Sequence, residues 1–229
     1  MKALGVALLM AAATTLAACQ TTSDAASRLV SAVERMELTA ARLDMHAVAQ
    51  AQGNEVIGGS FDQRIRAIGV LVPPDRLQLT LEGAGRVHEL VIVGKQMWID
   101  AGDGLRLADK VPLGPLSRPT APLDFIRGPG RAEFAGLGLS RGVVTYRVRI
   151  PLSASELQAR MRSDQPVDPD SSGSVEVEIG LLDGLIHRQV FDVKEPVDRF
   201  SGTGLRTLRT TYTIEYWDHG RRLEVREPK

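Results

Sequence analysis

"DRLQLTLEG", residues 75–83, alternates apolar and polar side chains without a break. Leu77, Leu79 and Leu81 fall on one face of an extended strand, and Gln78, Thr80 and Glu82 on the other. The same period of two returns in "GVVTYRVRIP" (142–151), with Val144, Tyr146, Val148 and Ile150 against Thr145, Arg147 and Arg149. It returns in "GSVEVEIG" (173–180), with Val175, Val177 and Ile179 against Glu176 and Glu178. In "LRTLRTTYTIEYW" (205–217), Leu208, Tyr212, Ile214 and Tyr216 oppose Arg209, Thr211, Thr213 and Glu215. Long strands with one dry and one wet face belong to an antiparallel sheet that is covered on one side.

Turn chemistry between the strands predicts a meander: Gly83 to Gly85, Gly94-Lys95, Asp183-Gly184 and Asp218-His219-Gly220. Residues 64–72 and 87–93 are apolar on both parities, which predicts burial on two sides. Helical spacing of Ala26, Leu29, Val30 and Val33 predicts an amphipathic helix from Asp24 to Met36, with Asp24 as its N-cap. "PLSASELQARM" carries a capping box from Ser153 to Glu156, and "PTAPLDFIRG" offers a short helix over Ala121 to Ile126 that ends at Gly128. The polar, Pro-rich stretch between Arg162 and Gly173 reads as a loop within one domain, because strands of the same style flank it. The expected class is α+β: a curved antiparallel sheet forming an incomplete β-barrel, covered by a few helices, in a single domain over residues 24–229.

The N-terminus has a different character. "MKALGVALLMAAATT" holds one cation, Lys2, and then an apolar run too short for the ~20 residues of a spanning helix. "LAAC", residues 16–19, follows the pattern branched apolar, small, small, cysteine, and Cys19 is the only cysteine of the 229 residues. The expectation is a lipoprotein signal peptide over residues 1–18, an acylated Cys19, and a tether over residues 19–23. Acylation by two or three chains gives stable anchoring, at about 0.8 kcal/mol per buried CH₂. With Cys19 acylated, no thiol is left for disulfides or metal thiolates.

Composition and motifs exclude more than they assign. Without residues 1–18, 27 basic residues face 28 acidic ones, which argues against the basic face that nucleic-acid binding needs. Gly138-Leu139-Ser140-Arg141-Gly142 matches the nucleophile elbow of esterases, but "VVTYRVRIP" after it predicts a strand where that motif needs a helix. Asp168, Asp170 and Gly173 start like a calcium loop, yet the twelfth position is Ile179 where a bidentate Glu is needed. His46, His88, His187 and His219 are scattered without metal-ligand spacing. Glu176 and Glu178 fall on a wet face, where solvation is the default. No phosphate-binding or dinucleotide fingerprint is present, so neither an enzyme nor a cofactor is expected.

Several stretches together resemble a known family. "VHELVIVGKQMWIDAGDGLRLAD" (87–109), "TYRVRIPLSASELQARM" (145–161), "GSVEVEIGLLDGLIHRQVFDV" (173–193) and "TYTIEYWDHGRRLEVREP" (211–228) are similar in order and style to the LppX/LprAFG-type bacterial lipoproteins, whose fold is similar to the LolA/LolB carriers. "IGLLDGL" (179–185) and the polar stretch from Ser163 to Ser172 depart from that pattern. The resemblance implies a lipid or another apolar ligand held in a hollow between sheet and helices. The residues expected to line it are Leu77, Leu79, Leu81, Tyr146, Val148, Val175, Val177, Ile179, Tyr212 and Ile214, and each reads equally well as plain core. The implied place is the cell envelope, anchored to the membrane through Cys19; Gln20 after it favours the outer membrane if the cell has one. The alternatives are a structural lipoprotein that binds another envelope protein, and an esterase using Ser140.

Overall fold

The computed structural model describes residues 22–53, 60–83, 86–100, 102, 104–108, 121–124, 126–127, 131–161, 167–196 and 205–228. Cys19 and residues 1–18, where a signal peptide is expected, lie outside them, as does Gly128.

Eleven antiparallel strands form one open sheet: β1 Ala41–Gly53, β2 Ser60–Val72, β3 Arg76–Gly83, β4 Arg86–Val93, β5 Gln96–Asp100, β6 Leu105–Leu107, β7 Glu133–Ser140, β8 Val143–Leu152, β9 Ser172–Gly180, β10 Ile186–Pro196 and β11 Leu205–Trp217. Their order is β6-β5-β4-β3-β2-β1-β11-β10-β9-β8-β7. Every pair of sequence neighbours is a pair of sheet neighbours except β6 and β7, the two free edges. The chain between residues 108 and 132 crosses from one edge to the other, where a closed barrel would have paired them. The sheet is therefore an incomplete barrel.

Among the described residues three helices accompany it: α1 Thr22–Met36, α2 Ala121–Asp124 within the crossing segment, and α3 Ala154–Met161 between β8 and β9. Helix α1 begins two residues before the expected Asp24. Asp24 instead occupies the first turn, where the helix dipole favours a carboxylate, and pairs with Arg28 at 3.0 Å. Its buried stripe is Ala25, Leu29, Ala32, Val33 and Met36, rotated from the expected one, so Val30 is 58% exposed. The predicted capping box forms: the Ser153 N–H donates to Glu156 Oε2 at 2.7 Å, and the Glu156 N–H points back at Ser153 Oγ at 3.4 Å.

Two-sided burial holds along part of β2 and β4. Leu90 and Ile92 enter the main core, while Val91 faces outward into a second small cluster with Trp98 and Val225. The C-terminal stretch lies over that outer patch, and Arg76 Nη1 donates to the Val225 carbonyl at 3.0 Å. From Arg64 to Arg66 the expectation fails, because that end of β2 is exposed. Val144 also departs from its dry-face assignment: it is 51% exposed, near the end of the β7–β8 hairpin and beyond the reach of the core.

Candidate functional site

Register places the expected lining residues on one inner face. Tyr146 pairs with Ile179, Val148 with Val177, and Ile150 with Val175, across β8 and β9. Val177 faces Gln189 of β10, and Gln189 faces Ile214 of β11. Ile214 faces Met45 of β1, Met45 faces Ala67 of β2, and Ala67 faces Leu81 of β3. Leu77 and Leu79 continue the face along β3. Nine of the ten, from Leu77 through Ile214, are buried in a single cluster, and Tyr212 packs against it partly buried. Burial raises the pKa of Tyr212, with the Glu195 carboxylate adding to the effect.

Helix α1 lies on this face over β7, β9 and β10. The Arg28 guanidinium sits 5.0 Å from the centre of the Tyr146 ring, whose other neighbour is the Phe134 ring at 4.6 Å. Between α1 and the crossing segment opens a cleft of about 440 Å³ lined by Ala26, Leu29, Val30, Val33, Ile126, Ala132 and Ile150, with Glu34, Glu37 and Arg127 at its rim. Glu37 and Arg127 form an ion pair across it. Ile150 at its floor belongs to the inner face, so the cleft reaches that face from outside. Its volume falls in the roughly 300–1,000 Å³ range of ligand pockets.

The outer face is ionic. A transverse row runs Arg147, Glu178, Arg188, Glu215, Asp44 through the registers of five strands. Glu178, expected to be solvated, is 6% exposed: Thr145 Oγ1 donates to it at 3.2 Å and Arg188 Nη1 at 3.2 Å. The adjacent carboxylates Glu215 and Asp44 are balanced by Arg141 at 2.9 Å and Arg66 at 2.8 Å. The Arg66 hydrogen bond holds the Asp44 carboxyl below its ordinary pKa. A second concavity, of about 450 Å³, contains Arg149, Asp192, Lys194 and Arg209. Arg209 grips Asp192 through two hydrogen bonds of 2.7 and 2.8 Å, which engages two of those four charges with each other.

The rejected motifs have clear structural places. Ser140 ends β7 and pairs with Val143, leaving Arg141 and Gly142 as a two-residue turn with φ of 46° and 83°. That is hairpin geometry with both residues left-handed, not a strand-turn-helix elbow. The Asp168 carboxylate accepts the Asp170 N–H within a turn. The histidines are less scattered than their spacing implied: His187 is buried, contacts Asp183 Oδ2 at 2.9 Å, and its ring lies 4.8 Å from that of His219. His46 and His88 stand apart from them, beside Asp44 and the Asp100 carbonyl. Among the described residues no group of three or more His, Cys, Asp or Glu is arranged to hold a metal.

The crystal structure of the lipoprotein LppX from Mycobacterium tuberculosis matches this architecture with a TM-score of 0.55 at 11% identity, covering 90% of this chain and 100% of LppX. The chain has the LppX fold. LprF from Mycobacterium bovis scores 0.47 at 12% identity, covering 90% of this chain and 97% of its own. A LolA-superfamily protein from Nitrosomonas europaea scores 0.33 at 10% identity, covering 87% and 94%. No protein-family model matches the sequence, and no curated protein sequence matches it.

On this LppX fold, the sequence pattern missed the cleft and the place of the polar Gln189 on the inner face. The cleft is built by α1 residues whose helical face was assigned with a small rotation, and by a crossing segment whose position depends on topology. Gln189 was missed because β10 carries a bulge between Ile186 and Arg188 that interrupts simple alternation.

Proposed function

We propose that this chain is an exported lipoprotein, anchored through acylated Cys19, that binds a lipid or another apolar ligand between its sheet and helices as a carrier or chaperone in the cell envelope. The observation that carries this reading is the apolar cleft beside α1, which leads to a mostly apolar inner face on an LppX fold. LppX is itself named a lipoprotein, and the lipobox at residues 16–19 supplies the matching anchor. From Cys19 to the start of α1 at Thr22 the chain spans at most about 3.5 Å per residue, so α1 and its cleft stay near the bilayer. The same inner face is the ligand surface in this reading, with Leu77, Leu79, Leu81, Tyr146, Val148, Val175, Val177, Ile179, Tyr212 and Ile214 as its lining.

Val30→Trp tests the cleft, because Val30 is exposed at its wall and a larger side chain there fills space without entering the core. Lipid uptake is expected to fall severalfold with an unchanged thermal midpoint. Wild-type uptake by this variant counts against the cleft. Cys19→Ser tests the anchor: incorporation of labelled palmitate is expected to disappear, and persistence of label excludes Cys19.

One observation favours a second reading, an interaction lipoprotein. Leu137, Leu139 and Val144 of the β7–β8 hairpin and Leu181 and Leu182 of the β9–β10 turn are exposed apolar side chains beside the free edge β7. That reading expects a site-specific crosslinker at Leu139 to capture one envelope protein and the purified chain to take up no lipid.

A further inference from the structure

The inner face contains a polar pair that the apolar pattern does not explain. Gln189 is fully buried, and neither its amide nitrogen nor its amide oxygen has a hydrogen-bond partner among the described residues. Its cross-strand neighbours are Val177 and Ile214, both apolar. Tyr216 is fully buried as well, and its hydroxyl is likewise unpartnered. Tyr216 lies two residues beyond Ile214 on β11, so the two side chains are diagonal neighbours on one face, within reach of a common small group. Leaving such groups buried and unpaired costs stability, because each gives up its bonds to water without replacement. An apolar residue of similar shape at either position would avoid that cost.

We propose that Gln189 and Tyr216 form the polar end of the ligand site and recognise the ester carbonyl and adjacent hydroxyl of an uncharged acyl lipid. This rests on the hollow being a lipid site. The amide nitrogen and the tyrosine hydroxyl can donate to an ester carbonyl, and the amide oxygen can accept from a ligand hydroxyl. A hydrocarbon offers none of these partners. Both side chains are uncharged, which matches a neutral ester rather than a phosphate or carboxylate, whose burial without a cation is costly. Helix α1 lies over β9 and β10, the strand of Gln189, and also forms one wall of the apolar cleft. The acyl chain lies among the apolar side chains, and the ester end meets the pair.

The test uses the full acylated chain held in an amphipathic polymer, with retention of deuterated 1-dodecanoylglycerol and deuterated dodecane measured by mass spectrometry. Wild type is expected to retain both. Gln189→Met and Tyr216→Phe preserve shape and are expected to retain dodecane like wild type while retaining about tenfold less of the glyceride at equal free concentration. Thermal midpoints verify folding, and Gln189→Met should melt at or above wild type because it removes an unpaired buried amide. Glyceride retention equal to wild type in both variants, as expected if a buried water serves the pair, overturns the assignment. Retention of neither probe by wild type overturns the lipid reading of the hollow itself, and this assignment with it.

Discussion

Glu178 and Gln189 occupy opposite faces of adjacent strands, and both invert what alternation alone predicts. Glu178 stands at a wet-face position but is enclosed by the Thr145 hydroxyl and the Arg188 guanidinium. Gln189 stands on the dry face with no partner for either amide atom. Single-residue polarity therefore marks where the sheet is thick with neighbours, which sequence spacing does not encode. Titration at this scale has a definite sign. Burial, reinforced by His187, lowers the His219 pKa below 6.5. The unfolded chain then binds the extra proton first, so stability is full above pH 6.5 and falls as pH drops below it. Burial pushes the Asp183 carboxyl up, but the Leu185 N–H and His187 outweigh it and leave the pKa below 3.8. Arg66 and Arg209, through hydrogen bonds, hold Asp44 and Asp192 below 3.8 as well. Those three contribute stability that is present above pH 3.8 and is lost as pH falls through their folded values. Urea midpoints at descending pH should decline in two stages, one below 6.5 and one below 3.8. A flat profile from pH 7.5 to 5 contradicts the His219 assignment.

Individual elements were legible where their signals are local. The capping box at Ser153 and Glu156 formed as its three-residue spacing predicts, and the Ser153 backbone N–H and hydroxyl lower the Glu156 pKa. Ser153→Ala should cost about 1 kcal/mol of stability by removing the cap. A change below the error of chemical denaturation shows that α3 is held by Leu157 packing alone. The Arg141-Gly142 and Gly94-Lys95 turns likewise follow from their residues. Less legible were α1 and β10. The apolar positions of α1 support two slightly different stripes, and packing against the sheet selects the one that leaves Val30 exposed. In β10 the bulge at Ile186 brings His187 inward to Asp183, where Gly180 leaves no room for a Cβ. Arg35 of α1 donates to the Asp183 carbonyl at 2.9 Å, tying the helix end to that same turn.

The whole molecule follows from a topological fact that no strand carries alone. β1 pairs with β11, so the first and last strands meet in mid-sheet and the free edges belong to β6 and β7. Period-two alternation in "DRLQLTLEG" and its relatives was enough to read the open antiparallel sheet and the inner face on which the expected lining residues fall, nine of them buried and Tyr212 partly so. It could not read the cleft, because the cleft depends on where a helix and a long crossing connection come together. In the proposed function the inner face serves as both core and ligand surface, and α1 sits where the two roles meet. The measurement that decides between them is native mass spectrometry with lipid extraction on the chain from Gln20 onward, exported and purified without detergent. A stoichiometric added mass that extracts as lipid is the predicted result. A clean apoprotein that also fails to take up added lipid contradicts the account and leaves a solid core with the exposed β7 edge as its working surface.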